Sequence, residues 1–395
     1  MYPRTLGAMV TGLDEEMRVG IDDLNLAAGR RCIDFVQLVE SGRHTASALA
    51  DVGFWRRSVL NVWEDPVTLA TEAAEPLVDD PNQIGLMLVG TETGVDYGKP
   101  LSSYLHRTLG LGPHCRNAEI KHACYGSTMA LRLACDWVRE HRTEKALVIS
   151  TDICRPHDGT AAELTAGVGA VAMVVCAEPR VLDIDPASGC AAQEVWDVAR
   201  PTRTREHQDP ILSICAYLDA LEGAWNDLAS STQLPLKDLR YILYHCPLIS
   251  LVRQAHMMLT GSPRDFQERV EPTLGLNREL GNIYGGSLYA SLIGLVEARD
   301  LEEGTPIGLF SYGSGACGEF FTGRVGPSAT YLRRHHVTSR IASRQPCAVS
   351  EWLKAEEALQ AQLQASDLEI VSPANAGPLV LERIKEWHRT YRWAA

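Results

Sequence analysis

Cys124 stands in the run Glu119-Ile120-Lys121-His122-Ala123-Cys124-Tyr125-Gly126-Ser127-Thr128. The pattern predicts a short strand before it and a helix after it, which would set the sulfur at a helix N-terminus. The positive end of the dipole lowers a thiol pKa there, and the small residues Gly126 and Ser127 would let a substrate approach closely. The alternative is a buried structural cysteine, the ordinary role for any one of the eleven in the chain. Glu92, in Gly90-Thr91-Glu92-Thr93-Gly94-Val95-Asp96, directly follows an apolar run. A carboxylate at a strand end inside a pocket has its pKa raised by desolvation and can act as a general base; a solvated loop acid would not. His245 follows Tyr241-Ile242-Leu243-Tyr244 and precedes Cys246-Pro247. It can polarise a carbonyl or move a proton, or serve as a satisfied core histidine. Two glycine-rich turns, 281–287 and 311–316, can offer backbone amides to an oxyanion, with Asn282 adding a side-chain donor, or can be tight turns and nothing more. Neither fits G-x-S-x-G, the P-loop or the dinucleotide fingerprint, so serine hydrolase, NTPase and Rossmann readings have no motif support.

These groups need elements to position them. Apolar periodicity predicts strands over 19–26, 84–89, 118–121, 146–151, 169–175, 241–244 and 307–311. Helical spacing covers 65–78, 101–109, 128–140, 211–229, 250–259 and 287–299, with a polar helix over 351–364. Strands alternating with helices indicate an α/β fold. The two halves have similar composition, and each places reactive residues just beyond a strand end, where open α/β sheets gather active sites. No low-complexity linker separates them, so one compact unit is expected.

The composition sets outer bounds. The chain has 395 residues, 45% hydrophobic and 22% charged, with a formal net charge of −13. Disordered, collagen-like and coiled-coil classes are excluded, and the acidic balance opposes binding to nucleic acid or an anionic membrane. The cysteines are scattered, odd in number and without a C-x-x-C pair, so no zinc or thioredoxin-type site is signalled and no metal is expected. The apolar stretch Ala170–Ala177 is far short of the roughly 20 residues of a membrane span. The N-terminus lacks a basic flank followed by an apolar signal core. A cytoplasmic, reduced protein is expected.

Taken in order, eight segments resemble the 3-hydroxy-3-methylglutaryl-CoA synthase family of the thiolase superfamily. They are Glu64–Thr68, Gly90–Asp96, Lys121–Gly126, Gly167–Met173, Arg200–Thr202, His245–Pro247, Gly281–Tyr289 and Leu309–Gly315, and the resemblance runs from about Val19 to about Val325. It implies two fused thiolase-like halves, over 1–178 and 179–395. Each would be a five-stranded sheet with helices, packed in a five-layered α-β-α-β-α core, and the second would carry a C-terminal helical extension. A homodimer is also implied. By the same resemblance, Cys124 would take an acetyl group from a thioester. Glu92 would remove a methyl proton and later protonate the new alkoxide. His245, with Asn282, would hold the β-keto group of the acceptor, and the backbone near Ser314 and Gly315 would stabilise an oxyanion. No organic cofactor is implied.

Within the family, the chain looks more like the polyketide β-branching enzymes, whose donor and acceptor ride on acyl carrier proteins, than like the mevalonate-pathway enzyme acting on acetyl-CoA and acetoacetyl-CoA. Many mevalonate enzymes have a lysine shortly after the His-x-Pro motif. Here Ile249-Ser250 stands there, leaving Arg253 as the candidate contact for phosphopantetheine or carrier. The length, the stretch Gly90–Lys99 and the stretch Asp209–Asp219 point the same way. Two loops depart from the family pattern: Cys154-Arg155-Pro156-His157, where a tyrosine is common, and Glu163-Leu164-Thr165-Ala166-Gly167 in place of Glu-Pro-Thr-Gln-Gly. Other readings are a type III ketoacyl synthase, which would use a Cys-His-Asn set, and a non-catalytic carrier-binding scaffold, which would have no need of Cys124, Glu92 and His245 together.

Overall fold

A computed structural model describes residues 17–155, 160–202 and 205–394. Nine strands make its central sheet: β1 (Val19–Ala28), β2 (Ile84–Gly90), β3 (Arg116–Ile120), β4 (Lys145–Ile153), β5 (Val168–Ala177), β6 (Leu182–Ala192), β7 (Tyr241–Tyr244), β8 (Pro306–Gly313) and β9 (Cys317–Val325). Their order is β7-β8-β9-β6-β1-β5-β4-β2-β3. In the first half β2 runs parallel to β3 and β4, while β4–β5 and β5–β1 are antiparallel. The second half repeats this arrangement: β7 is parallel to β8, and β8–β9 and β9–β6 are antiparallel. The halves join where Gly20 and Ile21 of β1 pair with Asp183 and Leu182 of β6.

Five layers result. The helix Pro66–Ala74 covers the outer face of the first half at β1, β4 and β5, and Pro210–Thr232 covers that of the second at β6 and β9. Between them lie Gly126–Glu140 and Gly286–Ala298, the latter buried from Gly286 to Val296. Because helices cover both faces, β2, β4 and β5 are nearly continuous apolar runs without alternation. Helix starts follow their capping residues. Asp65 Oδ1 accepts from Val67 N and Thr68 N, each at 3.0 Å, while Thr68 Oγ1 accepts from Asp65 N at 2.9 Å. Asp209 caps the helix that Pro210 opens, accepting from Leu212 N at 3.0 Å.

Two expectations are corrected. Among the described residues the second half contributes four strands, not five. In the position corresponding to β3, the chain reaches Asn282 through the short helix Gly275–Leu280 and a single bridge from Asn282 to Ala166. The C-terminal extension is also not wholly helical. After the helix Val349–Gln362 come the antiparallel strands Leu368–Glu369, Leu379–Lys385 and His388–Trp393. Of the loop 154–157, Pro156 and His157 lie outside the described residues.

Candidate active site

The repeat places functional side chains in two equivalent pairs. Glu92 lies just past the end of β2, and His245 just past the end of its counterpart β7. Cys124 precedes the central helix Gly126–Glu140, and Asn282 precedes the central helix Gly286–Ala298. All four line one cavity of about 210 Å³, together with Glu206, Tyr217, Tyr284, Tyr312 and Ser314 among others.

The cysteine turn is clamped from the second half. A Cβ on Gly313, at the end of β8, would sit 2.6 Å from Tyr125 N, and one on Gly285 would sit 2.8 Å from the Cys124 carbonyl oxygen. The two glycine-rich turns therefore allow backbone to close on backbone around the nucleophile. Ala123 is held at φ +41°, a strained value for a residue with a Cβ, and this sets the direction in which Cys124 leaves the turn.

Cys124 Sγ donates to Glu92 Oε1 at 3.5 Å. Burial, and then the nearby Glu92 and Asp152 carboxylates, hold the thiol pKa well above its ordinary value. This overturns the dipole-lowered thiolate expected from sequence. The helix begins only at Gly126, and the amides of Tyr125 and Gly126 donate back to the His122 carbonyl, at 3.0 and 3.1 Å. The resting group is a neutral thiol hydrogen-bonded to the Glu92 carboxyl group.

Glu92 has its own pKa raised, first by burial and then by the charges of Asp152 and Glu206, with Arg200 opposing. Its loop hangs on Asp152, which follows the core of β4 and is 1% exposed. Asp152 Oδ1 accepts from Thr91 Oγ1 (3.0 Å), Glu92 N (3.0 Å), Thr93 N (3.2 Å) and Thr93 Oγ1 (2.7 Å). Sequence reading passed over Asp152, although the Thr-Thr spacing around Glu92 offers hydroxyl donors for such an anchor.

His245 is fixed at both backbone atoms. Its N–H donates to the Phe310 carbonyl at 2.7 Å, and its carbonyl accepts from the Tyr217 hydroxyl at 2.7 Å. Its Nδ1 has no partner among the described residues, and burial pushes the ring pKa down to about 3, so the imidazole is neutral at physiological pH. Asn282 is oriented by donors to its oxygen. Oδ1 accepts from Tyr284 N at 2.9 Å and from Ser287 Oγ at 3.3 Å, which identifies the opposite end as the amide NH₂. Asn282 and His245 thus bring two neutral N–H-bearing groups to the cavity.

The remaining expected residues divide. Ser314 lines the cavity. Gly315 does not act as expected: its N–H donates to Asp197 Oδ1 at 3.0 Å and is unavailable to an oxyanion in this structure. Arg253 is exposed on the helix Ile249–Thr260, its guanidinium 4.8 Å from the Phe266 ring centroid, while Leu248 and Leu251 of the same segment face the cavity. Of the departing loops, Cys154 and Ala166 pack with Cys124 and Tyr284 in one small buried cluster.

Residues 17–179 match the model described as hydroxymethylglutaryl-coenzyme A synthase N terminal, and residues 254–391 match the one described as its C terminal. The polyketide biosynthesis 3-hydroxy-3-methylglutaryl-ACP synthase PksG of Bacillus subtilis is 31% identical over 95% of this chain and 99% of its own. The chain belongs to the hydroxymethylglutaryl-CoA synthase family. It is an acyltransferase of that family's carbon–carbon bond-forming kind, on the thiolase-like fold that the sequence resemblance implied. The hydroxymethylglutaryl-CoA synthase of Enterococcus faecalis is 33% identical over 89% of this chain and 94% of its own. The curacin biosynthetic pathway HMG synthase, solved in complex with holo donor-ACP, superposes with a TM-score of 0.91. It is 31% identical, over 95% of this chain and all of that one.

Proposed function

We propose that this protein is a β-branching synthase of polyketide biosynthesis. An acetyl group on Cys124 condenses with the β-keto group of an acyl chain carried on an acyl carrier protein. The observation that carries the chemistry is the contact between Cys124 Sγ and Glu92 Oε1 inside a cavity that His245 and Asn282 share. Glu92 takes the thiol proton as sulfur attacks the donor thioester and returns it to the departing thiolate. The freed carboxylate then removes a proton from the acetyl methyl. The enolate carbon bonds to the acceptor β-carbon, and Glu92 protonates the alkoxide so formed. The neutral His245 and the Asn282 amide stabilise that oxygen as donors, and Ser314 stands on the same wall. Water then cleaves the thioester and regenerates Cys124.

The carrier-protein reading is supported by the likeness to PksG, a 3-hydroxy-3-methylglutaryl-ACP synthase, and to the curacin enzyme, solved in complex with holo donor-ACP. Acyl groups arrive as thioesters of phosphopantetheine, with Arg253, exposed on the helix Ile249–Thr260, as a contact, and the scheme uses no metal or redox cofactor. Two halves over 1–178 and 179–395, a homodimer and a cytoplasmic setting complete the proposal. All eleven cysteines are free thiols, as a reducing compartment would keep them. The mevalonate role is the second reading, favoured by the Enterococcus faecalis relative.

Intact-mass measurement separates the two. Acetyl transferred to the protein from acetylated carrier but not from acetyl-CoA supports β-branching; transfer from acetyl-CoA supports the mevalonate role. An acetyl adduct on Cys124→Ala would remove Cys124 as nucleophile.

A further inference from the structure

The hairpin formed by Val198–Thr202 and Arg205–Gln208 brings a buried charge network to the cavity wall, and the condensation as described above does not use it. Glu206, 1% exposed, accepts hydrogen bonds from Arg200 Nη2, from Gln208 Nε2 and from the Tyr284 hydroxyl, the last at 2.6 Å. Arg200 Nη2 also donates to the Tyr284 oxygen at 3.1 Å. Three donors converging on one carboxylate are the pattern of an ionised acceptor. Tyr284 packs against Cys124, and Glu206 lines the same cavity as Glu92. A buried ion pair carries a desolvation cost that apolar side chains would avoid, so its presence on this wall calls for a role.

We propose that Glu206 is a positioning residue for the condensation: paired with Arg200, it fixes the Tyr284 ring against Cys124 and sets the balance of charge around Glu92. The proposal rests on Glu92 being the base. The groups facing Glu92 are Cys124 from the nucleophile turn, Asp152 and Cys154 from the end of β4 and beyond, Glu206 and Arg200 from the hairpin, and Tyr284 from the glycine-rich turn. Glu206 opposes the ionised form of Glu92, whereas Arg200 favours it. The two members of one ion pair therefore act on the base in opposite directions.

That opposition gives a signature that loss of packing would not produce. The full-length protein is assayed with acetyl-pantetheine and acetoacetyl-pantetheine thioesters, and the acidic limb of kcat/KM is followed. Glu206→Gln moves the limb down by about one pH unit, and Arg200→Gln moves it up by a similar amount. Tyr284→Phe, which removes the hydroxyl and no charge, leaves the limb in place, and Glu206→Asp restores it. If Glu206→Gln fails to fold, Gln208→Glu adds a negative charge on the same wall and raises the limb. Limbs that coincide with that of the unaltered protein overturn the proposal. A failure of the unaltered protein to acylate Cys124 would instead overturn the reading of the site on which it rests.

Discussion

The thiol of Cys124 and the carboxyl group of Glu92 meet at 3.5 Å, with the sulfur as donor, so the nucleophile and the base are placed for direct proton transfer. Burial and then the Glu92 and Asp152 carboxyl groups hold the thiol pKa above its ordinary value, whereas Glu92 is raised by burial, Asp152 and Glu206, and the hydrogen bond from Cys124 draws it part of the way back. The thiolate is therefore formed only as the proton moves to Glu92. One carboxylate can in this way serve the acylation step and the condensation step in turn.

Glu92→Gln tests that coupling. Removing the carboxylate charge favours the thiolate, so the pH midpoint for alkylation of Cys124 by iodoacetamide falls by about one unit or more. In the same variant, condensation turnover falls by about 10²- to 10⁴-fold, the usual worth of a general base. Alkylation rates read by mass spectrometry over about pH 6 to 10 check the first outcome. An unchanged midpoint would show that the Glu92 charge does not act on the thiol.

His245 makes a separate prediction about acid. Its folded-state pKa lies near 3, depressed by burial below the ordinary histidine value. Between those two values the unfolded chain binds a proton that the folded one refuses, so falling pH destabilises the fold through this group. The slope is about 1.4 kcal/mol per pH unit for one site and ends below the folded pKa. His245→Gln should weaken the loss of stability between about pH 6 and pH 4, measured by urea titration at several pH values. It should also retain the acetyl adduct on Cys124 while losing acceptor turnover. Loss of the adduct itself would place His245 in the acylation step.

The strands and helices around the site were legible because burial on both faces leaves unbroken apolar runs such as Val168–Ala177, and because Asp65-Pro66 and Asp209-Pro210 announce helix starts. Strands such as Arg31–Asp34, Arg56–Val59 and Leu182–Ala192 were missed, since polar residues interrupt them and local pattern alone cannot report their partners. Glu92, Cys124 and His245 were legible as reactive types at element ends. Their protonation states were not. Whether a thiol at a helix start is charged depends on which amides are already spent and which carboxylates come near. Here those amides are used by the carbonyl of His122, and Glu92 arrives from a different strand, 32 residues away. Gly313 and Gly285 show the same limit. Their sequence suggested oxyanion amides or tight turns, whereas the fold uses them to let two halves touch.

Asp152 is the clearest case of a role that only the assembled fold reveals, and it yields the third prediction. Its Oδ1 accepts four hydrogen bonds from Thr91, Glu92 and Thr93, and so fixes the backbone that aims Glu92 at Cys124. Asp152→Asn keeps the volume and removes the charge. One amide oxygen can still accept, but more weakly, because hydrogen bonds to a charged group are worth about twice those to a neutral one. The variant is expected to lose about 1 to 3 kcal/mol of stability. Its condensation rate falls more than its acylation rate, because removing a methyl proton requires the carboxylate to be held in line. Thr93→Val, which removes one of the four donors and leaves the charge, gives a smaller change in the same direction. The checks are thermal unfolding and single-turnover rates of the two steps. A full-rate condensation in Asp152→Asn would mean that the loop holds Glu92 without this anchor.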